Sequence, residues 1–325
     1  MKILVTGAGG FLGRHLCKSL QEKGHTITNF SRSSYPDLKE QGIDTIQGDI
    51  SDALTVEMAL EGMDAVFHVA SKVGIWGKYE DYYRTNVIGT QNIIDGCKKR
   101  GISRLVYTSS PSVVFGTESL LGVGEEQAYP EKYISHYAKT KALAEQKVLK
   151  ANDESLATVA LRPHLIFGPG DHHIFPRIVD RARSGKLKRV GNGKNMVDVI
   201  YVKNAVDAHI SAFEKLEIGS QVSGKAYFLG QEDPVNLWDF IDDILVRHKV
   251  APLKSKISEG AAYKIGWLME KGYGLFGIKA EPPMTRFMAL QLSCSHYFSH
   301  KNAEKDLEFV PRVSLKQALD ETVRL

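Results

Sequence analysis

The segment "ISHYAKTKALAE", residues 134–145, places Tyr137 and Lys141 four positions apart. On a helix that spacing puts two side chains on one face, about 5–6 Å apart at Cβ. A phenol and an ammonium so placed could handle a proton, although a packed tyrosine beside a solvated lysine is the ordinary outcome. A second polar group stands upstream, where "RLVYTSS" (104–110) ends on Ser109 and Ser110. A carbonyl that accepts hydride needs a proton donor at its oxygen, and a free tyrosine, with a pKa of about 10, exchanges protons poorly at neutral pH. A neighbouring ammonium and an oxidised nicotinamide would lower that pKa. Ser110 would hold the carbonyl oxygen. Ser110, Tyr137 and Lys141 are therefore the candidate catalytic residues, provided that the fold brings them together.

The elements that would do so are readable. Short β-branched runs, "KILVT" (2–6), "HTITNF" (25–30), "DTIQGD" (44–49), "AVFHVA" (65–70), "RLVYTSS" and "ATVALRP" (157–163), alternate with helical patterns. The first helix carries Leu12, Leu16 and Leu20, a second covers 52–62, and a long one spans 79–101 and ends on Lys, Lys, Arg and Gly. Cations followed by glycine are C-terminal helix signals. This alternation predicts an α/β fold, a Rossmann doubly wound parallel sheet covered on both faces. In such a sheet the carboxyl ends of the strands bind the ligand, which is where Ser110 falls. The dinucleotide-binding domain is expected over 1–168, with a returning segment at about 197–225. A smaller C-terminal α+β substrate domain would take 169–196 and 226–325.

"TGAGGFLG" (6–13) lies where the first strand hands over to the first helix, with Gly7, Gly10 and Gly13 at G-x-x-G-x-x-G spacing. Glycines in that context allow a tight turn and let a pyrophosphate rest on the helix N-terminus. NAD-specific folds place an acid at the end of the second strand to bind the ribose hydroxyl. Here the segment is "NFSRSS" (29–34), without an acid. Arg32, with the hydroxyls of Ser31 and Ser33, suits a 2′-phosphate, so NADP(H) is expected over NAD(H). Asp49 would meet the adenine or cap the next helix.

The chain of 325 residues is 43% hydrophobic and 25% charged, with a net charge of +4. That charge is too mild and too dispersed for a nucleic-acid surface. Cys17, Cys97 and Cys294 fit no metal or disulfide spacing, and a reducing, cytoplasmic setting is expected. "MKILVTGAGG" has no signal-peptide layout, and no run is apolar enough to span a bilayer. The "DHH" at 171–173 is not read as a metal site, because adjacent histidines point apart and hydride transfer needs no metal.

Taken together, these motifs resemble the extended short-chain dehydrogenase/reductases. "HVAS" (68–71), "YTSS", "YAKTK", "LRPHLIFGPG" (161–170) and "VDVIYVKNAVDAHI" (197–210) follow the glycine loop in that family's order, over essentially the whole chain. The resemblance implies that Tyr137 is the general acid/base, that Lys141 binds the nicotinamide ribose and tunes the tyrosine, and that Ser110 holds the substrate oxygen. It implies cofactor contacts from Gly7, Gly10, Phe11, Leu12 and Gly13, from Ser31 and Arg32 at the adenosine, and from Asp49 and Ile50 near the adenine. Ala70 and Ser71 would lie beside the cofactor, and Pro163 and His164 near the nicotinamide amide. It further implies a homodimer through the helices around 82–98 and 137–150.

Within the superfamily the chain resembles the 3β-hydroxysteroid dehydrogenase branch. It is similar there to the sterol-4-carboxylate 3-dehydrogenases and to the bacterial 2-alkyl-3-oxoalkanoate reductases of olefin synthesis. "ASKVGIWGKYEDYYRTNVIGTQNII" (70–94) looks closer to the second group. The expected reaction is NADP(H)-dependent reduction of a 2-alkyl-3-oxoalkanoic acid to the 3-hydroxy acid. Decarboxylating oxidation of a sterol 3-hydroxyl, or a non-catalytic dinucleotide sensor, are the alternatives. Residues 261–292, with Tyr263, Trp267, Phe276, Phe287 and Leu290 among their apolar side chains, could pack as core, wall a long-chain pocket or touch a membrane surface. For the substrate carboxylate, His164, His172, His173, Arg177 and Lys194 are the candidate cations.

Overall fold

The computed structural model describes residues 1–323 except His173. Its large sheet consists of seven strands: β1 (Lys2–Thr6), β2 (Thr26–Ser31), β3 (Asp44–Gln47), β4 (Ala65–His68), β5 (Arg104–Thr108), β6 (Ala157–Pro163) and β7 (Lys225–Leu229). All pair in parallel, in the order β7-β6-β5-β4-β1-β2-β3. The order reverses between β1 and β4, and a doubly wound sheet opens its ligand crevice at such a reversal. Both faces of the central strands are covered, so β1, β4, β5 and β6 are buried almost throughout, whereas the edge strand β3 is exposed at both ends. In β1, Ile3 and Val5 pack with Leu12 and Leu16 of the first helix, while Leu4 packs on the other face with Phe30, Val66 and Ile93. The expected α/β class and the six expected strands are present; β7 was not foreseen, and it pairs with β6 at the edge of the sheet.

The long helical run is interrupted. Helix Tyr79–Tyr82 passes into a π-helical stretch, Tyr83–Ile88, and then into helix Gly89–Arg100, which Gly101 closes in the left-handed conformation (φ 69°). π-Helical turns are uncommon and are found mostly at functional sites. This one carries Thr85 on the cleft wall, while Asn86 next to it is buried.

A second, mixed sheet is smaller. Met196–Val197 lies between Val235–Asn236, antiparallel, and His296–Phe298, parallel, and the latter pairs in parallel with Leu120–Val123. The segment between β5 and helix His136–Lys150 thus contributes a strand to a sheet that is otherwise C-terminal. Helices Glu259–Leu275 and Arg286–Ser293 pack on each other beside it.

Candidate active site

A cleft of about 620 Å³ runs along the carboxyl edge of the large sheet. Its adenosine end is shaped by backbone. Gly7 has φ 77°, and a Cβ there would stand 2.9 Å from the Ala70 backbone; one on Gly13 would stand 2.3 Å from the Gly7 carbonyl. Only glycine allows the turn at the first position and the close helix–strand approach at the second. Gly10 begins helix Phe11–Glu22 and offers no side-chain cap, leaving the first-turn N–H groups for a ligand. The cradle fits a dinucleotide pyrophosphate. Gly7, Gly10, Phe11, Leu12, Gly13, Ser31, Arg32, Asp49, Ile50, Ala70, Ser71, Pro163 and His164 all line this cleft, together with Ser110, Tyr137 and Lys141.

At the end of β2, the Arg32 side chain is exposed on the cleft rim and the Ser31 hydroxyl donates to the Ser33 carbonyl (2.7 Å). The nearby carboxylates are engaged elsewhere. Asp37 pairs with Arg14, and Asp49 pairs with Arg84 (2.8 Å) and accepts from Ser51. Asp49 therefore does not cap the following helix; Asp52 does, accepting from the Leu54 and Thr55 N–H groups.

At the other end, Ser110, Tyr137 and Lys141 converge. Helix His136–Lys150 starts at Ser135, whose hydroxyl accepts from the Ala138 N–H, and lies over the end of β5. Lys141 is buried and its Nζ donates to the Thr108 carbonyl at 2.6 Å, above the Tyr107 ring at 4.2 Å. Burial lowers its pKa to about 7, against the pull of Glu145. Burial raises the Tyr137 pKa, and the Ser110 hydroxyl offsets this in part. Ser110 Oγ accepts from the Ser112 N–H (3.2 Å) and hydroxyl (3.0 Å), which leaves its own hydrogen to donate.

A shell of partners that the motifs do not reveal holds these groups. Glu145, one turn beyond Lys141, is fully buried and takes a two-pronged contact from Arg162 (2.9 and 2.7 Å). The Thr108 hydroxyl lies 2.9 Å from His209 Nε2, and His209 Nδ1 lies 2.7 Å from the Ala205 carbonyl. A carbonyl only accepts, so Nδ1 carries the hydrogen and Nε2 accepts from Thr108. The same reasoning fixes His68, which burial keeps neutral with a pKa of about 3. Thr90 gives its only hydroxyl hydrogen to the Asn86 carbonyl (2.6 Å), so it accepts from His68 Nε2 (2.9 Å). His68 Nδ1 then accepts from Thr6 (2.7 Å), whose oxygen takes the Ala70 N–H (3.1 Å). Asn86 completes the thread, bonding Lys72 N and O and the Thr140 hydroxyl. The glycine loop, the β4 exit and helix His136–Lys150 are thereby tied together. His68 and Glu145 lie inside or next to the quoted motifs, but nothing in their spacing signals a partner.

The apolar residues expected to face substrate divide. Phe287 lines the cleft beside Gln291, and Phe115, Leu290 and Cys294 pack behind it. Trp267 (45% exposed) and Phe276 (76% exposed) face solvent, so they do not wall the cleft. Among the described candidate cations only His164 lines it. Arg177 pairs with Glu281, Lys194 and His172 are exposed, and His173 lies outside the described residues.

The sheet, the glycine cradle and the converging serine, tyrosine and lysine define an NAD(P)-dependent oxidoreductase of the extended short-chain type. Residues 4–257 match the 3-beta hydroxysteroid dehydrogenase/isomerase family, and the chain belongs to that family. It is 47% identical to the 2-alkyl-3-oxoalkanoate reductase of Stenotrophomonas maltophilia, over 98% of this chain and 97% of that one. The protein of the same description from Shewanella oneidensis is 42% identical, over 97% and 84%. The human sterol-4-alpha-carboxylate 3-dehydrogenase (decarboxylating) is 36% identical, over 98% and 87%. Among solved structures, gox2253 superposes with a TM-score of 0.78 at 28% identity, covering 99% of this chain and 96% of that one. MoeE5 in complex with UDP-glucose and NAD gives a TM-score of 0.75 at 24% identity, covering 100% and 98%, and shares the fold.

Proposed function

We propose that the chain uses NADPH to reduce the 3-oxo group of a 2-alkyl-3-oxoalkanoic acid, giving the 2-alkyl-3-hydroxy acid. The observation that carries this reading is the convergence of Ser110, Tyr137 and Lys141 in the cleft that the glycine loop opens, with Lys141 held by the Thr108 carbonyl. The names of the two bacterial relatives support the substrate class. Residues 1–168 with the return through Leu229 would bind the dinucleotide, and the remaining C-terminal segments would bind substrate.

In this mechanism the glycine loop holds the pyrophosphate and Arg32 the 2′-phosphate. Lys141 has N–H groups beyond the one given to Thr108, and these hold the ribose hydroxyls. The reduced nicotinamide, when bound, supplies hydride to the carbonyl carbon. Ser110 donates a hydrogen bond to the carbonyl oxygen, and Tyr137 transfers its phenolic proton to it. Lys141, labile near neutral pH, stands one helical turn away to restore that proton. Sterol oxidation would use the same residues in reverse and start from the phenolate that reduction leaves, so the catalytic groups suit either direction and the substrate class rests on the relatives. A purely sensory role would leave Tyr137 and Lys141 without a task in the cleft.

Dimerisation through helices Gly89–Arg100 and His136–Lys150 is part of the proposal; Tyr83 and Ile88 are exposed at the start of that surface. So is peripheral membrane contact through Leu268, Leu275 and Phe276, which are exposed near Lys271. Among the described residues no helix is long and apolar enough to cross a membrane.

The test follows the nicotinamide absorbance with a long-chain 2-alkyl-3-oxo acid and either NADPH or NADH. Oxidation of NADPH is expected, with a preference over NADH that falls roughly tenfold in Arg32→Ala. Cofactor binding without turnover of any β-oxo acid would overturn the function, and a strong NADH preference would overturn the role of Arg32.

A further inference from the structure

A carboxylate on the substrate needs a positive partner, and the catalytic end of the cleft offers few. Among the described lining residues there, Lys141 and His164 alone can carry positive charge, since Arg32 sits at the adenosine end. Lys141 is bonded to the Thr108 carbonyl beneath the tyrosine. His164 is 8% exposed, and the chain reverses immediately after it at Leu165, which holds a left-handed conformation (φ 45°) rare for a leucine.

His164 belongs to a pair. Its Nε2 lies 2.7 Å from His296 Nδ1, and His296 Nε2 lies 2.9 Å from the Gln291 carbonyl. The carbonyl accepts, so His296 Nε2 carries hydrogen; in the neutral ring Nδ1 is then bare and accepts from His164 Nε2. Neutral His164 therefore keeps a bare Nδ1, which no described group bonds. A lone pair there would repel a carboxylate, whereas a proton there would make a hydrogen-bonded ion pair with it.

We propose that the His164–His296 pair is the receptor for the substrate carboxylate, which binds together with one proton taken from solvent onto His164 Nδ1. This rests on the β-oxo acid reading above. The protonated ring would point Nδ1–H at the carboxylate and Nε2–H at His296, whose other nitrogen is anchored on Gln291. Asp198, which is 1% exposed and accepts from the Phe298 N–H (2.8 Å), favours positive charge on His296. His300, 3.2 Å from Asp198, opposes it at His164, as would Lys141 across the cleft when charged, while Tyr137 stays neutral. Burial holds both imidazoles below their ordinary range, so at neutral pH the proton arrives with the acid and not before it. A ketone without the carboxyl gains nothing from the pair. The arrangement thus selects β-oxo acids by chemistry and not only by length.

The experiment is calorimetric titration of the NADPH-loaded protein with a 2-alkyl-3-hydroxyalkanoic acid, in buffers of different ionisation enthalpy. Uptake of close to one proton per acid bound is expected, with affinity weakening about tenfold per pH unit over the range of full uptake. The matching secondary alcohol should bind without uptake and without pH dependence. His164→Gln should abolish uptake and the preference for acid over alcohol. His296→Gln, which can still accept from His164 Nε2, should retain acid binding but lose part of the uptake. Binding of the hydroxy acid without proton uptake by a protein that turns over the oxo acid, or unchanged uptake in His164→Gln, overturns this proposal alone. Failure of any acid to bind or react overturns it together with the function it rests on.

Discussion

The two ends of the cleft are built from different materials. At the adenosine end the recognising surface is backbone: a glycine turn, a close helix–strand approach and uncapped helical N–H groups, with side chains such as Arg32 added at an exposed rim. At the catalytic end the surface is side chain: Lys141 is fixed by the buried Thr108 carbonyl, and Ser110 is held by the half-buried Ser112. Backbone recognition tolerates substitutions that keep the shape. Side-chain recognition in a low-dielectric interior does not, because every unpaired group there carries its full desolvation cost.

Substitution should separate these two ends. The largest effect is expected for Tyr137→Phe, which removes the transferable proton and keeps the ring. Turnover should fall by about 10²–10⁴-fold while affinity for the dinucleotide, read by fluorescence titration, stays unchanged. If cofactor affinity falls in parallel, the two ends are not independent.

Next is Glu145→Gln. It leaves the Arg162 guanidinium, 2% exposed, without its charged partner, at a cost of about 3–5 kcal/mol of folding stability in a denaturant titration. An unchanged unfolding midpoint would show that water or Tyr129 replaces the carboxylate.

The smallest effect sharpens the contrast within the catalytic end. Phe287→Ala should reduce kcat/KM for long-chain substrates roughly tenfold more than for short ones, because Phe287 lines the cleft. Phe276→Ala, on a solvent-facing residue, should leave both unchanged. Equal losses in the two variants would remove the distinction between wall and surface.

The same contrast explains what could be read before the structure. The glycine loop is legible because only glycine satisfies its backbone shape, and β1, β4, β5 and β6 are legible because two-sided burial leaves nearly continuous apolar runs; β2 and β3 are legible from their β-branched residues and their place in the alternation. Tyr137 and Lys141 share one helix, so local periodicity relates them, and Ser110 follows from its place at a strand end. The supports are not local. Thr6 meets His68 across 62 residues, Thr108 meets His209 across 101, and His164 meets His296 across 132. No spacing rule reaches those distances, which is why His296 is absent from any reading of the motifs. β7 escaped for a related reason: "KAYFL" is five residues in a stretch of mixed pattern, and only its parallel pairing with β6 makes it a strand. The roles of Trp267 and Phe276 stayed open between core, pocket wall and surface because composition alone does not say which face of helix Glu259–Leu275 and its C-terminal cap turns outward.

The strand Leu120–Val123 has a consequence for how the protein is made. Its hydrogen-bonded neighbour, His296–Phe298, leaves the ribosome long after it does. All seven strands of the large sheet, the last ending at Leu229, are therefore synthesised before the strand that carries His296. Until residue 298 emerges, Leu120–Val123 has no strand to pair with, so the small sheet beside the cleft is among the last parts of the molecule to close.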